Sequence, residues 1–204
     1  FPQMKKLDYN FYNRPDVVKI ARELLGKVLV TDWKDGLTSG RIVETEAYEG
    51  VTDRASHAFN GRRTARTEVM YADAGSGYVY LCYGIHHLFN VVTNVTNTPH
   101  AILIRALEPL QGVNIMLQRT GKKNKDRTLT SGPGNVSKAL GIHIRHTGVS
   151  LTEEMIFIAD DGFVLHQKDI ISTPRIGVDY ADEDALLPYR FFIRDSIYVS
   201  GRRH

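Results

Sequence analysis

The sequence is poor in cysteine, which narrows the kinds of protein it can encode. Cys82 is the single cysteine among 204 residues, so no disulfide can form within the chain. Disulfide frameworks are typical of secreted domains, and their absence favours a reducing compartment. A structural zinc site needs several cysteine or histidine ligands. His143 and His146 have ligand-like spacing but no further ligand nearby in the sequence, so we expect ordinary surface histidines and no bound metal.

Long apolar runs are also missing. No segment approaches the roughly 20 apolar residues of a membrane-spanning helix, and none has the layout of a signal peptide, so no membrane association is expected. Repeats and low-complexity tracts are absent. The composition, 42% hydrophobic and 24% charged, is typical of a globular protein. We expect a single domain over residues 1–204, with Phe1–Met4 as a leader or cloning remnant.

Positive charge, in contrast, is clustered. The net charge of +3 permits a polyanionic partner without requiring one. Arg62, Arg63 and Arg66 lie close together, a second basic run spans residues 122–127, and two more arginines stand at 202–203. Such runs are either solvated loops or phosphate-binding segments, and the charge pattern leaves both open.

The spacing of apolar residues predicts an α+β protein. A helix is predicted from Asn13, its expected N-cap, to Gly26, with one apolar face formed by Val17, Ile20, Ala21, Leu24 and Leu25. Strands are predicted at about residues 27–33, 41–50, 77–84, 88–94, 101–109, 154–159 and 189–200, and helices after Pro109 and over 135–142. The middle strands follow one another without crossover helices. This pattern favours a curved antiparallel sheet over a doubly wound one.

The strand RIVETEAYEG carries two carboxylates. Alternation places Glu44, Glu46 and Tyr48 on one face, and Val43, Thr45 and Ala47 on the other. Taken alone, this strand favours an exposed edge with surface ion pairs.

A second strand, AILIRALEP, changes that interpretation. Arg105 stands in an apolar run, on the face predicted for Leu103 and Leu107. An unpaired buried charge is very costly, so the guanidinium needs a partner, and Glu44 and Glu46 are the natural candidates. The result is either a structural ion pair or a carboxylate held ready as a general base.

The stretch YVYLCYGIHHLFNVV predicts a hairpin with an aromatic tip. Tyr78 and Tyr80 share one strand face, Gly84 interrupts the run, and Tyr83 falls at or near the turn. An aromatic side chain at a hairpin tip is well placed to enter a partner, as wedges between DNA base steps do. The alternative is a tyrosine folded back onto its neighbours.

Two loops have the chemistry of anion sites. Arg62 and Arg66 have the spacing of a phosphate clamp. Gly132, Pro133 and Gly134 directly precede a predicted helix, whose free N-terminal amides favour an anion.

Six motifs in fixed order resemble the alkyladenine DNA glycosylase family, also called the 3-methyladenine or alkylpurine DNA glycosylases. They are RIVETEAYEG, SHAFNGRRTAR, GYVYLCYGIHHLFNVV, ILIRALEP, SGPGNVSKALGI and TPRIGV. The resemblance covers nearly the whole chain. It implies one α+β domain with a curved antiparallel sheet, surrounding helices and a protruding hairpin. It also implies a monomer that hydrolyses the bond between an altered purine and deoxyribose in double-stranded DNA, without metal or organic cofactor.

The resemblance further implies roles for individual residues. The general base would be Glu46, with Arg105 and the backbone carbonyl of Ile176 holding the attacking water. The base pocket would be formed by Tyr48, His57, Tyr80 and Asn90, and Tyr83 would fill the gap left by the flipped nucleotide. The phosphate contacts would come from Arg62, Arg63, Arg66, Gly134, Asn135 and Lys138.

Three positions depart from the family pattern. Relatives often carry a lysine where this chain has Asn135 and an asparagine where it has Thr67, and some carry a serine where it has Gly134. These differences put individual phosphate contacts in doubt, but not the chemistry. The expected location is the cytoplasm and nucleoid of a bacterium, or the nucleus of a eukaryote.

Three other functions remain open on the residues alone. A nucleic-acid binding module would explain the arginines and Tyr83 but not the pairing of Glu46 with Arg105. A helix–hairpin–helix glycosylase would contain mostly helices, which the strand-rich sequence disfavours. A carbohydrate-active enzyme could use Glu44 and Glu46 as its acid pair, although no facing acid is evident.

Overall fold

The structure is a computed structural model that describes residues 3–201. Residues 1–2 of the predicted leader lie outside the described residues. The two arginines at 202–203 lie outside them as well. Within residues 3–201 there are four α-helices, α1–α4, at Tyr9–Tyr12, Val17–Leu24, Val113–Thr120 and Pro133–Leu140. The strands β1–β9 span Lys5–Lys6, Val28–Trp33, Gly36–Tyr48, Gly77–Cys82, His86–Thr93, His100–Pro109, Ile156–Asp160, Ile170–Thr173 and Arg190–Ile193.

All of these strands pair antiparallel in one sheet, which confirms the predicted α+β class. The order is β1-β7-β2-β3-β6-β5-β4, and β9 joins β3 to β8. The long strand β3 is central because its first half pairs with β2, its second half with β9, and its other edge with β6. Six of the fourteen predicted site residues therefore lie on strands that meet around β3 or on the hairpin beside them.

The register between β3 and β6 is irregular next to Arg105. Ile42 pairs with Leu107, Glu44 with Ala106 and Thr45 with Ile104, so the pairing skips Val43 on β3 and Arg105 on β6. Such bulges turn side chains away from strict alternation. The predicted faces are wrong at two positions as a result.

The two side chains whose predicted face is wrong are Val43 and Leu107. Val43 packs with Phe192 and Val199 in a small cluster, whereas Ala47 packs in the main core. Leu107 also packs in the main core, so it does not share the face of Arg105.

Helix α2 covers one face of the sheet as its periodicity predicts. All five predicted face residues, Val17 to Leu25, are buried, and Gly26 follows the helix with φ of +86°. The predicted N-cap is wrong, because Asp16 caps α2 by accepting from the amide of Lys19 at 3.0 Å. Asn13 instead ends the short helix α1.

The C-terminal region departs most from the predicted pattern. The strand predicted over 189–200 ends at Ile193, and β8, at Ile170–Thr173, is not evident from the sequence pattern. A 3-10 segment at Asp179–Leu186 was also not predicted. These short elements lack a clear period, and β8 and β9 are defined only by the pairing of β9 with β3 and of β8 with β9.

The strands β4 and β5 form the predicted hairpin. Cys82 pairs with His86, which leaves Tyr83, Gly84 and Ile85 as the loop. Tyr83 and Gly84 both have positive φ, 53° and 70°. Ile85 is exposed like Tyr83, so the tip protrudes from the sheet.

Residues 3–201 contain neither a membrane-spanning helix nor a metal-binding cluster. No helix in this range is long and apolar enough to cross a membrane. No three histidine, cysteine or acidic side chains in it are grouped so that they could hold a metal ion.

Candidate active site

A cleft of about 680 Å³ opens between the hairpin, the strands β3 and β6, and the N-terminus of α4. It brings together most of the residues predicted from the sequence. Those that line it are Glu46, Tyr48, His57, Arg66, Tyr80, Tyr83, Asn90, Arg105, Gly134, Asn135 and Ile176. Arg62, Arg63 and Lys138 are not among its lining residues.

Glu46 lies at the floor of the cleft with its side chain fully buried. Its Oε1 accepts from the hydroxyl of Tyr48 at 2.9 Å and from Nη1 of Arg105 at 3.4 Å. Its Oε2 accepts from the backbone amide of Ile176 at 2.7 Å. Three donors from three separate segments therefore orient this carboxylate. The exposed-edge interpretation of this strand is wrong.

Arg105 is held between two carboxylates, as its place in an apolar run predicted. Its Nε donates to Oε2 of Glu44 at 3.2 Å, and the residue is only 8% exposed. Glu44 is also bound by Nε of Arg190 at 2.6 Å and by the amide of Ser200 at 2.7 Å. The carboxylate of Glu44 therefore has hydrogen-bond donors in Arg190 and Ser200 besides Arg105. Glu46 thus faces the cleft while Glu44 anchors Arg105 from behind.

A second buried ion pair supports the other side of Glu46. Arg175 contacts Asp53 through its two terminal nitrogens, Nη1 and Nη2, and its Nη1 also donates to the carbonyl of Ala47 at 2.9 Å. The guanidinium carbon lies 4.8 Å from the ring centre of Tyr48. Burial, followed by the charge of Glu46, raises the pKa of the Tyr48 hydroxyl well above its usual value. Tyr48 therefore stays a neutral donor to Glu46.

Aromatic rings form the wall of the cleft next to Glu46. The rings of His57 and Tyr80 meet edge to face with centres 4.5 Å apart, and Tyr78 lies 5.5 Å from Tyr80. His57 Nδ1 hydrogen-bonds the Tyr78 hydroxyl at 3.0 Å. Burial, together with the nearby charges of Arg66 and Arg62, lowers the pKa of His57 to about 4. A neutral imidazole and two neutral phenols thus line a pocket that suits a flat aromatic ligand.

Asn90 closes the pocket from strand β5. Its side chain is 3% exposed, and its Nδ2 donates to the carbonyls of Tyr78 at 3.3 Å and Leu88 at 3.4 Å. These bonds satisfy the amide nitrogen and fix the orientation of the side chain against the cleft.

Tyr83 extends from the hairpin tip at the mouth of the cleft. It is 93% exposed, so the alternative of a ring folded back onto its neighbours is wrong. A tyrosine in the left-handed region is uncommon and costs backbone energy.

The basic loop before β4 lies on the rim of the cleft. Arg62, Arg63 and Arg66 are exposed, and Arg63 pairs with Glu68 at 2.7 Å. Thr67 is fully buried, and its Oγ1 accepts from the amide of Thr64 at 2.8 Å. Thr67, which departs from the family pattern, therefore hydrogen-bonds within this loop and does not face solvent.

Helix α4 begins at Pro133 with Gly132 as its N-cap, two residues before the predicted start at Asn135, because proline fits the first turn of a helix. Gly134 and Asn135 line the cleft, and Asn135 Nδ2 donates to the carbonyl of Ser131 at 2.8 Å. Lys138 is exposed on the far side and lines a neighbouring groove. The basic run at 122–127 lines neither cavity.

Four site residues were not singled out from the sequence. They are Asp53, Arg175, Arg190 and Tyr180, whose hydroxyl donates to the carbonyl of Ala55 at the edge of the cleft. Arg175 belongs to the motif TPRIGV, which could have drawn attention to it. Arg190 opens an apolar strand just as Arg105 sits in one, and the same charge-in-an-apolar-run argument applies to it.

Comparison with known proteins identifies the family of this chain. The model of the family described as methylpurine-DNA glycosylase (MPG) matches residues 10–197. A Desulfitobacterium hafniense (strain Y51) protein named "Putative 3-methyladenine DNA glycosylase" is 44% identical over 204 residues, covering 97% of this chain and 99% of the relative. Equally named proteins of Chlamydia felis (strain Fe/C-56) and Bacillus licheniformis are 47% and 46% identical, covering 92% and 98% of this chain and 95% and 98% of theirs. The chain belongs to the methylpurine-DNA glycosylase family.

Proposed function

We propose that this protein is a monofunctional DNA glycosylase that flips an alkylated or deaminated purine out of duplex DNA and hydrolyses its bond to deoxyribose. The family membership supports a hydrolase that acts on DNA bases in repair. The observation that carries the proposal is the buried carboxylate of Glu46 at the floor of an aromatic cleft, within 3.4 Å of Arg105 and 2.7 Å of the Ile176 amide.

The proposed chemistry needs few groups. Water attacks the sugar carbon that bears the base, the bond from that carbon to the purine nitrogen breaks with its electron pair going to the base, and Glu46 takes the proton from the water. A cationic alkylpurine thereby leaves as a neutral base, and a neutral deaminated purine also takes up a proton from solvent as it leaves. Arg105 and the backbone carbonyl of Ile176 hold the water beside the carboxylate. Glu46 also stabilises the positive charge that develops on the sugar. No lysine lines the part of the cleft that residues 3–201 form, which supports direct hydrolysis over a Schiff-base route.

Base flipping is supported by the shape of the cleft. A base within a duplex is out of reach, so it must leave the stack at a cost of a few kcal/mol, which is lower at damaged pairs. Tyr83 would offset this cost by filling the gap, and Tyr48, His57 and Tyr80 would hold the extruded purine. A cationic alkylpurine gains cation–π attraction of roughly 0.5–2 kcal/mol from such rings.

The phosphate contacts would lie on the rim. Arg62, Arg63 and Arg66 are proposed to bind the backbone on one side, and the N-terminus of α4 with Gly134, Asn135 and Lys138 on the other. The protein would act as a monomer on double-stranded DNA.

The test is base release from duplexes that carry one alkylated or deaminated purine, under single-turnover conditions. Glu46→Gln should still bind this DNA but release the base about 10²–10⁴ times more slowly, because the general base is lost. Glu108→Gln, on an exposed position of β6, is the matched control and should behave as the parent. Near-normal release by Glu46→Gln would remove the role of Glu46. Tight binding by the parent protein without any base release would favour a binding module instead.

A further inference from the structure

A second groove of about 910 Å³ lies beside the cleft, on the outer side of α4. We call it the histidine groove. Its lining includes four histidines, His86, His87, His143 and His146, together with Trp33, Lys34, Asp35, Arg119, Lys138 and Arg145. None of the chemistry proposed above uses these histidines.

The groove carries positive charge that is hardly compensated. Lys34, Lys138 and Arg145 are exposed at its edge. Asp35 is the one carboxylate in the described lining, and Arg119 engages both of its oxygens, at 2.7 and 2.9 Å. Three cations thus remain available to an anion that lies along the groove.

Two of the histidines are fixed as neutral hydrogen-bond donors. His87 Nδ1 accepts from the amide of Ile144 at 2.9 Å, and His146 Nδ1 accepts from the amide of His143 at 2.9 Å. A neutral imidazole that accepts at Nδ1 carries its proton at Nε2. Each ring can therefore donate to an oxygen without first being protonated.

The walls of the groove are preorganised. His146 stacks on Trp33 with ring centres 4.4 Å apart and planes 14° from parallel. Trp33 is itself held by a hydrogen bond from Nε1 to the carbonyl of Leu140 at 2.8 Å. Burial lowers the pKa of His146 to about 4, with contributions from Arg145, His143 and His87. These two rings need not reorganise before an anion binds.

The histidine groove is continuous with the cleft. His86, Gly134 and Asn135 line both cavities. The His86 ring packs on Gly134 so closely that an added Cβ there would lie 3.0 Å from Nδ1 of the ring. A glycine at this position lets the hairpin and α4 meet. A DNA strand that leaves the cleft over the N-terminus of α4 would enter this groove.

We infer that the histidine groove binds the sugar–phosphate backbone of duplex DNA beyond the hairpin, with Lys34 and Arg145 as charge contacts and His87 and His146 as neutral donors to phosphate oxygens. The inference rests on the proposed function, because it takes the bound polyanion to be the DNA held in the cleft. It extends the DNA contact beyond the residues that hold the damaged nucleotide.

The test measures equilibrium binding to a lesion-containing duplex of about 20 base pairs, roughly two helical turns, over a series of salt concentrations. Lys34→Ala/Arg145→Ala should bind several-fold more weakly. The slope of log affinity against log salt should become shallower by about 1.8, because about 0.9 is lost for each phosphate contact. Lys34→Arg/Arg145→Lys keeps both charges and should retain the parent slope. Lys19→Ala/Lys168→Ala removes two exposed lysines outside both cavities and should also retain it.

Ethylation of single phosphates adds a positional readout. Ethyl groups on one flank of the lesion should weaken binding by the parent protein and not by Lys34→Ala/Arg145→Ala. An unchanged salt slope together with an unchanged ethylation pattern would overturn the inference. These measurements follow binding alone, whereas the proposed function is judged by base release from the parent protein. Failure of one is therefore distinguishable from failure of the other.

Discussion

Arg175 and Asp53 form an ion pair whose side chains are both almost completely buried, at 0% and 1% exposure. Asp53 lies in the loop after β3 and Arg175 in the segment after β8, so the pair joins these two parts of the chain. Arg175 also donates to the carbonyl of Ala47 on β3. The next residue in the chain, Ile176, donates its amide to Glu46. The ion pair thus sets the position of one of the three donors on this carboxylate.

Disrupting this pair should separate stability from activity. Asp53→Asn leaves a buried guanidinium without its counter-charge and should reduce the free energy of unfolding by about 3–5 kcal/mol. Asp53→Leu/Arg175→Met removes both charges and should recover much of that loss. Base release by both variants should be slower than in the parent, and the double variant should not recover it, because the Ile176 amide is no longer held against Glu46. Chemical denaturation and single-turnover kinetics measure the two effects.

A control for this prediction is the exposed pair of Lys6 and Glu154. Glu154→Gln should leave both stability and base release as in the parent. Full activity in Asp53→Leu/Arg175→Met would show that the pair contributes to folding alone.

Tyr83→Ser should weaken base flipping without weakening the fold. The side chain is 93% exposed in the free protein, so its removal loses little packing. In the complex, the variant could no longer fill the gap in the stack, and the fluorescence of a base analogue at the lesion should report less of the flipped state. Tyr9→Ser, at another exposed tyrosine outside the cleft, is the control. An unaltered flipping equilibrium would mean that Tyr83 is not the wedge.

Asn90→Ser should admit guanine to the base pocket. An aromatic wall accepts any purine face, so a normal base must be rejected by shape. The bulk of Asn90 would meet the exocyclic amino group that guanine carries and that adenine and hypoxanthine lack at this position. The measurement is slow release of undamaged guanine from a mispaired duplex, compared with the parent.

Thr93→Ser, a buried change on the same strand but outside the cleft, is the control for this gain. If Asn90→Ser stays folded and active on hypoxanthine yet gains nothing toward guanine, Asn90 is a satisfied core amide and not a filter.

His57 should make stability depend on pH in the acid range. Its pKa of about 4 lies below its usual 6.5, because burial and two arginines disfavour the charged ring. Between these values the unfolded chain binds more protons than the folded one, so stability falls as the pH drops from about 6.5 to 4. His57→Gln should flatten this part of the curve in urea denaturation series.

His166→Gln, at an exposed histidine, should leave the curve unchanged. An NMR titration of the His57 ring with a midpoint near 6.5 would contradict the prediction directly.

Much of the fold followed from local patterns. The buried face of α2, the strands β2 to β6, the hairpin turn at Gly84 and the presence of a helix after Gly132 were all predicted, because periodicity and turn residues act over a few neighbours. The N-cap of α2 was not, because Asn13, Asp16 and the intervening Pro15 compete as helix-start signals and packing selects one.

The sequence by itself also determined which charges pair in the cleft. A lone arginine in an apolar strand required a carboxylate, and Glu44 and Glu46 were the nearest candidates by strand alternation. Their pairing with Arg105 is what the structure contains.

Only the tertiary structure decided which carboxylate faces the cleft. The paired bulges that skip Val43 and Arg105 point the guanidinium toward both acids, and a register shift of this kind has no local sequence signature. Arg190, which takes up Glu44, comes from a strand 146 residues further along the chain. Contacts over such separations form only when the sheet closes, because the free energy that holds them is that of the assembled core and not of any single segment.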